Sequence, residues 1–139
     1  MRLVLDTSTI VAAMRSPAGV SAHLLRRARL KQISLLANIA LALEYEAVCL
    51  RPEHLTAAQL TAAEANIFVT AVIALCEPVE SYFLWRPQLR DPADEFVLEA
   101  AVNGRAEAII TFNRRDFLPA AQRFGIEIVR PDEILRRLS

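Results

Sequence analysis

The chain has 139 residues, 54% of them hydrophobic, which is enough for a real core and too apolar for a disordered chain. Its 16 Lys and Arg balance 16 Asp and Glu, which argues against a protein that coats nucleic acid through bulk charge. No apolar run reaches bilayer length, and the N-terminus lacks a basic segment leading into a long apolar one. The expectation is a cytoplasmic protein without a membrane span.

Residues 2–6 read as a first strand, an apolar run closed by Asp6. A polar turn follows, Thr7-Ser8-Thr9, and then an apolar helical stretch from Ile10 to Met14. Residues 20–30 have helical periodicity, with Leu24, Leu25 and Ala28 on one face. Ile33 to Leu36 is a second strand. Residues 39–50 form a helix whose apolar stripe runs through Leu36, Ile39, Ala40, Leu43, Ala47 and Leu50, and Arg51-Pro52 breaks it. Thr56 reads as the N-cap of a long helix from Ala57 to about Leu75. Cys76 to Val79 is a short strand. Asp91-Pro92-Ala93-Asp94 opens a helix that stops at Asn103-Gly104, with Asp at the cap, Pro in the first turn and Gly at the end. Ala108 to Thr111 is a strand, Asn113 to Asp116 a polar turn, Ile126 to Val129 a strand, and Pro131 begins a final helix. This alternation implies an α/β fold with a parallel sheet flanked by helices. No repeat, linker or second domain interrupts residues 1–139.

Strand ends are where sites are built in such folds, and Asp6 stands at one. Asp116 follows another, Asp94 lies in the first turn of a helix, and Glu44 lies mid-helix. Four carboxylates in one place suit a hard divalent cation, which takes oxygen ligands and water. Each also has a structural reading. Asp6, Asp94 and Asp116 suit helix caps or first turns, and Glu44 suits a solvated helix face. Periodicity does not choose between Glu44 and Glu46. Cys49 and Cys76 sit in apolar surroundings without a metal-ligand spacing, and His23 and His54 are too scattered for zinc. Lys31 is the only lysine. Arginines cluster at Arg26-Arg27-Arg29, Arg114-Arg115 and Arg136-Arg137, and each cluster suits a solvated face or a phosphate contact. The aromatic run Tyr82-Phe83-Leu84-Trp85 suits core packing or a partner anchor.

Four segments resemble the motifs of PIN-domain ribonucleases. Leu5-Asp6-Thr7-Ser8 resembles the first. Asn38-Ile39-Ala40-Leu41-Ala42-Leu43-Glu44 resembles the second. The run from Asp91 to Ala101 resembles the third, with Asp94 in the acidic place. The run from Ile109 to Phe117 resembles the fourth, with Asp116 acidic. Within that family the chain is most similar to the toxins of toxin–antitoxin systems related to VapC. The resemblance implies a three-layer PIN-like fold with a central, mostly parallel sheet. It implies a Mg²⁺- or Mn²⁺-dependent endoribonuclease in which Asp6, Glu44, Asp94 and Asp116 hold metal. Thr7 and Thr111 match hydroxyl positions beside the metal, Asn113 a position that varies between Asn and an acid, and Ser8 a position often held by Asn. Arg114 and Arg115 are the candidate substrate contacts. The implied partners are an RNA substrate, a small antitoxin and a second copy of the chain. The alternative within the same fold is a catalytically silent scaffold that binds RNA or protein.

Other strand-end aspartate enzymes fit less well. A haloacid dehalogenase phosphatase needs a second Asp where Ser8 stands. A receiver domain needs a late lysine. A dinucleotide-binding fold needs a glycine-rich first turn, and the whole chain has three glycines.

Overall fold

The computed structural model describes residues 1–80 and 89–139. Strands β1 (Arg2–Leu5), β2 (Ser34–Ala37), β3 (Cys76–Pro78), β4 (Ala108–Ile110) and β5 (Glu127–Val129) form one parallel sheet in the order β3-β2-β1-β4-β5. The helices are α1 (Thr7–Arg15), α2 (Val20–Arg29), α3 (Ile39–Cys49), α4 (Pro52–Ala58), α5 (Ala62–Leu75), α6 (Pro92–Asn103), α7 (Leu118–Arg123) and α8 (Pro131–Leu138). Successive residues of a strand face opposite sides of the sheet. Leu3, Val4 and Leu5 are all buried, so helices cover both faces and the expected three layers follow.

Strand β1 sits at the centre, pairing Leu3 with Leu35 of β2 and Leu5 with Ile110 of β4. From β1 the chain winds outward through β2 to β3, then returns to lay β4 on the other side of β1. Such a reversal opens a crevice beyond the carboxyl ends of the strands, where α/β sheets bind ligands. Asp6 lies directly beyond β1, at that reversal. Helix α1 packs on α2 and α3, and α3 packs in turn on α5 and α6, so the segments bearing Asp6, Glu44 and Asp94 meet.

The predicted helix over 57–75 is two helices, α4 and α5, bent by 91°. Pro52 starts α4 as well as ending the previous helix, because proline suits the first turn of a helix. Thr56 therefore lies inside α4 and caps nothing. Gln59 ends α4 in the left-handed conformation at φ 58. The true cap of α5 is Thr61, whose hydroxyl accepts from the Glu64 N–H at 3.1 Å while Glu64 accepts from the Thr61 N–H at 3.0 Å. Helix α1 starts at Thr7, taking in the expected turn, and α7 was not foreseen.

Of the apolar stripe assigned to α3, Ile39, Leu43 and Ala47 point outward, while Leu36 lies buried in β2 and Leu50 packs against the core. The buried face of α3 runs through Leu41, Tyr45, Val48 and Cys49, while Ile39 is 80% and Leu43 60% exposed. A helix apolar on nearly every side gives periodicity no purchase. On α2 the expected face holds, with Leu24 and Ala28 buried. Burial raises the thiol pKa of both Cys49 and Cys76 to about 11. The aromatic run Tyr82-Phe83-Leu84-Trp85 lies outside the described residues. Among the described residues no single helix is long and apolar enough to cross a membrane.

Candidate active site

The Asp6 backbone N–H donates to the Ile110 carbonyl at 2.9 Å, carrying the β1–β4 pairing one residue past the strand. The side chain then caps α1. Oδ1 accepts from the Thr7 N–H at 2.8 Å, and Oδ2 accepts from the Ser8 hydroxyl at 2.9 Å and the Thr111 hydroxyl at 2.7 Å. Burial pushes the Asp6 pKa up, these three donors pull it down, and the net shift is upward. Thr111 Oγ1 also accepts from the Asn113 N–H at 2.9 Å, tying the turn after β4 to the Asp6 carboxylate. The buried Tyr45 hydroxyl donates to the Leu5 carbonyl, fixing α3 against the end of β1.

Asn38 does the same work at a second junction. Its Oδ1 accepts from the Leu41 N–H at 2.8 Å, capping α3, and its Nδ2 donates to the Phe96 carbonyl of α6 at 3.1 Å. One side chain thereby joins the helices that carry Glu44 and Asp94. Asp91 caps α6 by accepting from the Ala93 N–H at 2.9 Å. Phe117, fully buried, anchors the short 3-10 turn that ends at Asp116.

These elements bring Asp6, Glu44, Asp94 and Asp116 to the wall of one open cleft of about 810 Å³, with Thr7, Ser8 and Asn113. Glu46 is exposed and does not line it, so only Glu44 of that pair faces the cleft. The Asp94 carboxyl is pushed up to about 7, first by burial and then by the carboxylates of Asp6, Asp91, Asp116 and Glu95. Asp94 thus feels Asp6 and Asp116, and Asp6 feels Asp116. The four acids do not close on a single point. Among the described residues no group of three or more His, Cys, Asp or Glu side chains is placed to hold a metal ion as it stands.

The order of elements, the strand-end Asp6 and the cleft decide which comparison matters. Residues 2–115 match the sequence profile of the PIN domain. The chain belongs to the PIN-domain family. PIN domains are in general nucleases that act on RNA, and the parallel five-stranded sheet agrees with the PIN fold. The PIN match ends one residue before Asp116, which reaches the cleft nonetheless. Among curated proteins, none matches the chain.

Relative to the sequence reading of this PIN domain, three placements differ. Thr7 contacts Asp6 through its backbone N–H, and Ser8 supplies a hydroxyl beside Thr111. Neither Arg114 nor Arg115 lines the main cleft. Arg115 lines an adjoining hollow of about 480 Å³ with Asp94 and Asp116, and Arg114 lies by Phe112 and Arg130. Arg15, Arg51 and His54 line the main cleft, where the sequence reading places none of them. His54 Nδ1 is buried with no hydrogen-bond partner among the described residues. Arg15 ends α1 and Arg51 joins α3 to α4, positions that only a three-dimensional packing of α1 on α4 makes neighbours.

Proposed function

We propose that this PIN domain is a divalent-cation-dependent endoribonuclease and the toxin of a toxin–antitoxin pair. The observation that carries the reading is the meeting of Asp6, Glu44, Asp94 and Asp116 on one cleft at the sheet's point of reversal. The four candidate ligands are all carboxylates, which suits a hard cation such as Mg²⁺ or Mn²⁺. A bound cation supplies Lewis acidity for hydrolysis of a phosphodiester by water. Asp6 is the fixed member of the set, held by three donors. Asp94, raised to about 7 by burial and its acidic neighbours, is partly protonated near neutral pH, and a bound cation would favour its charged form. Glu44 is half-buried and Asp116 exposed on the same cleft. The four carboxylates share the cleft without converging on one point. The same spacing is the observation that favours the second reading, a silent PIN scaffold that binds RNA or protein.

An antitoxin and a second copy of the chain are the proposed partners. Support comes from the outward faces of α3 and α5, where Ile39, Leu43 and Ile67 are 80%, 60% and 70% exposed.

The experiment is cleavage of RNA by the purified protein. Mg²⁺ or Mn²⁺ should support cleavage and a chelator should stop it. Asp94→Asn should lower the rate by roughly two orders of magnitude or more, as loss of a charged ligand does. Cleavage that persists in chelator, or full activity of Asp94→Asn, rules the mechanism out. Metal-independent RNA binding without cleavage supports the scaffold.

A further inference from the structure

The arginines of this chain divide into two sets. Those away from the cleft are largely spent on the protein itself. Arg2 pairs with Glu77, Arg26 donates to the Pro17 carbonyl, Arg27 to Gln32, Arg136 pairs with Asp132, and Arg137 pairs with Glu127 and Glu133. Around the carboxylates the pattern reverses. Arg15 and Arg51 line the main cleft beside Asp6 and Glu44. Arg90 and Arg115 line the adjoining hollow, which shares Asp91, Asp94 and Asp116 with the cleft. Among the described residues none of these four arginines has an ion pair or a side-chain hydrogen bond, although acids stand on the same walls.

Unpaired guanidinium groups beside acids point to a ligand that is itself anionic, because a planar guanidinium fork suits a phosphate. The four come from separate places: the end of α1, the α3–α4 junction, the residue before the α6 cap, and the 3-10 turn after β4. A single phosphate group does not reach both hollows, whereas a polymer with a phosphate at each residue does. The carboxylates between them repel that polymer wherever no cation intervenes, so the attraction falls to the two sides.

We propose that the cleft and its adjoining hollow form one RNA track, in which Arg15 and Arg51 hold backbone phosphates on one side of the carboxylates and Arg90 and Arg115 hold them on the other. This rests on the nuclease reading and adds to it the residues that position the strand. They are positioning residues, acting on phosphates outside the bond that breaks. Phosphate contacts of this kind fix register and carry no base preference.

The test is fluorescence anisotropy of a labelled single-stranded RNA oligonucleotide over a series of NaCl concentrations, with Ca²⁺ in place of Mg²⁺ to hold off turnover. The proteins are the wild type, the double variants Arg15→Gln/Arg51→Gln and Arg90→Gln/Arg115→Gln, and the control Arg29→Gln. Arg29 is also unpaired and lines neither hollow. Each phosphate contact on a single strand contributes about 0.7 to the slope of log affinity against log salt, so each double variant should lose about 1.4. Arg29→Gln should match the wild type, and the corresponding Arg→Lys doubles should keep most of the slope. In Mg²⁺ the Gln doubles should raise KM and leave kcat near the wild-type value. A wild type that cleaves RNA while either Gln double binds like Arg29→Gln overturns the two-sided track and leaves the nuclease reading standing. A wild type that cleaves no RNA with Mg²⁺ or Mn²⁺ overturns both.

Discussion

At Asp6 a single carboxylate is both the cap of α1 and the receiver of hydroxyls from Ser8 and Thr111. The sequence reading set capping and metal binding against each other, and the structure shows that the cap is already made while the residue still faces the cleft. Asp94 offers the sharper measurement. Its folded carboxyl titrates at about 7 against an ordinary 3.8, raised by burial and by neighbouring acids. The folded state therefore binds more protons than the unfolded state between those values, and stability contributed by Asp94 falls as pH rises through that window. Above about 7 and below about 4 its contribution is flat. In chelator, Asp94→Asn should melt close to the wild type at pH 4, and its advantage should grow steadily to pH 7 and then level off. Parallel melting-versus-pH curves for the two proteins would mean that Asp94 is not held in the strained state described here.

Among the elements, the strands were legible and the helical boundaries were partly so. Continuous apolar runs closed by Asp6, Asn38 and Thr111 mark β1, β2 and β4 because a buried parallel strand has few ways to be polar. The Thr61-Ala62-Ala63-Glu64 capping box was present in the sequence, and the apolar pattern read from Ala57 onward through Leu60 hid the break before it. The inward face of α3 was not legible, since Ile39 and Leu43 are as apolar as Leu41 and Tyr45. Of the site, the four acids and Thr111 were readable from motif likeness. Arg15 and Arg51 were not, because their meaning depends on which helix packs against which. Asn38 shows how much rests on one such junction. Replacing it with Ala removes the α3 cap and the link to the Phe96 carbonyl, and should cost about 1 to 2 kcal/mol in urea unfolding. Because Glu44 and Asp94 lose their shared anchor, cleavage should fall as well. An Asn38→Ala protein with wild-type stability would show that the junction is held by other contacts.

On the scale of the whole molecule, two features stand apart from the core. One is the outward face of α3 and α5, apolar where a helix surface is normally charged. If that face joins two copies of the chain, Ile67→Glu should convert a dimer to a monomer in sedimentation at micromolar concentration, with its melting temperature otherwise kept. A wild type that is already monomeric would remove the homodimer from the account. The other feature is the cleft, in which burial and acidic neighbours hold the Asp94 carboxyl well above its ordinary range, a state that the proposed cation would relieve. A ligand that binds only the native state raises its stability with concentration. The deciding measurement is the melting temperature of the wild type, Asp6→Ala and Asp116→Ala over a Mg²⁺ titration. The wild type should gain several degrees as Mg²⁺ saturates its site, as roughly 1 to 3 kcal/mol of binding linkage gives a domain of this size, and each variant should lose most of that gain. A wild type that is indifferent to both Mg²⁺ and Mn²⁺, or variants that respond as fully as it does, would contradict a cation site built from these carboxylates.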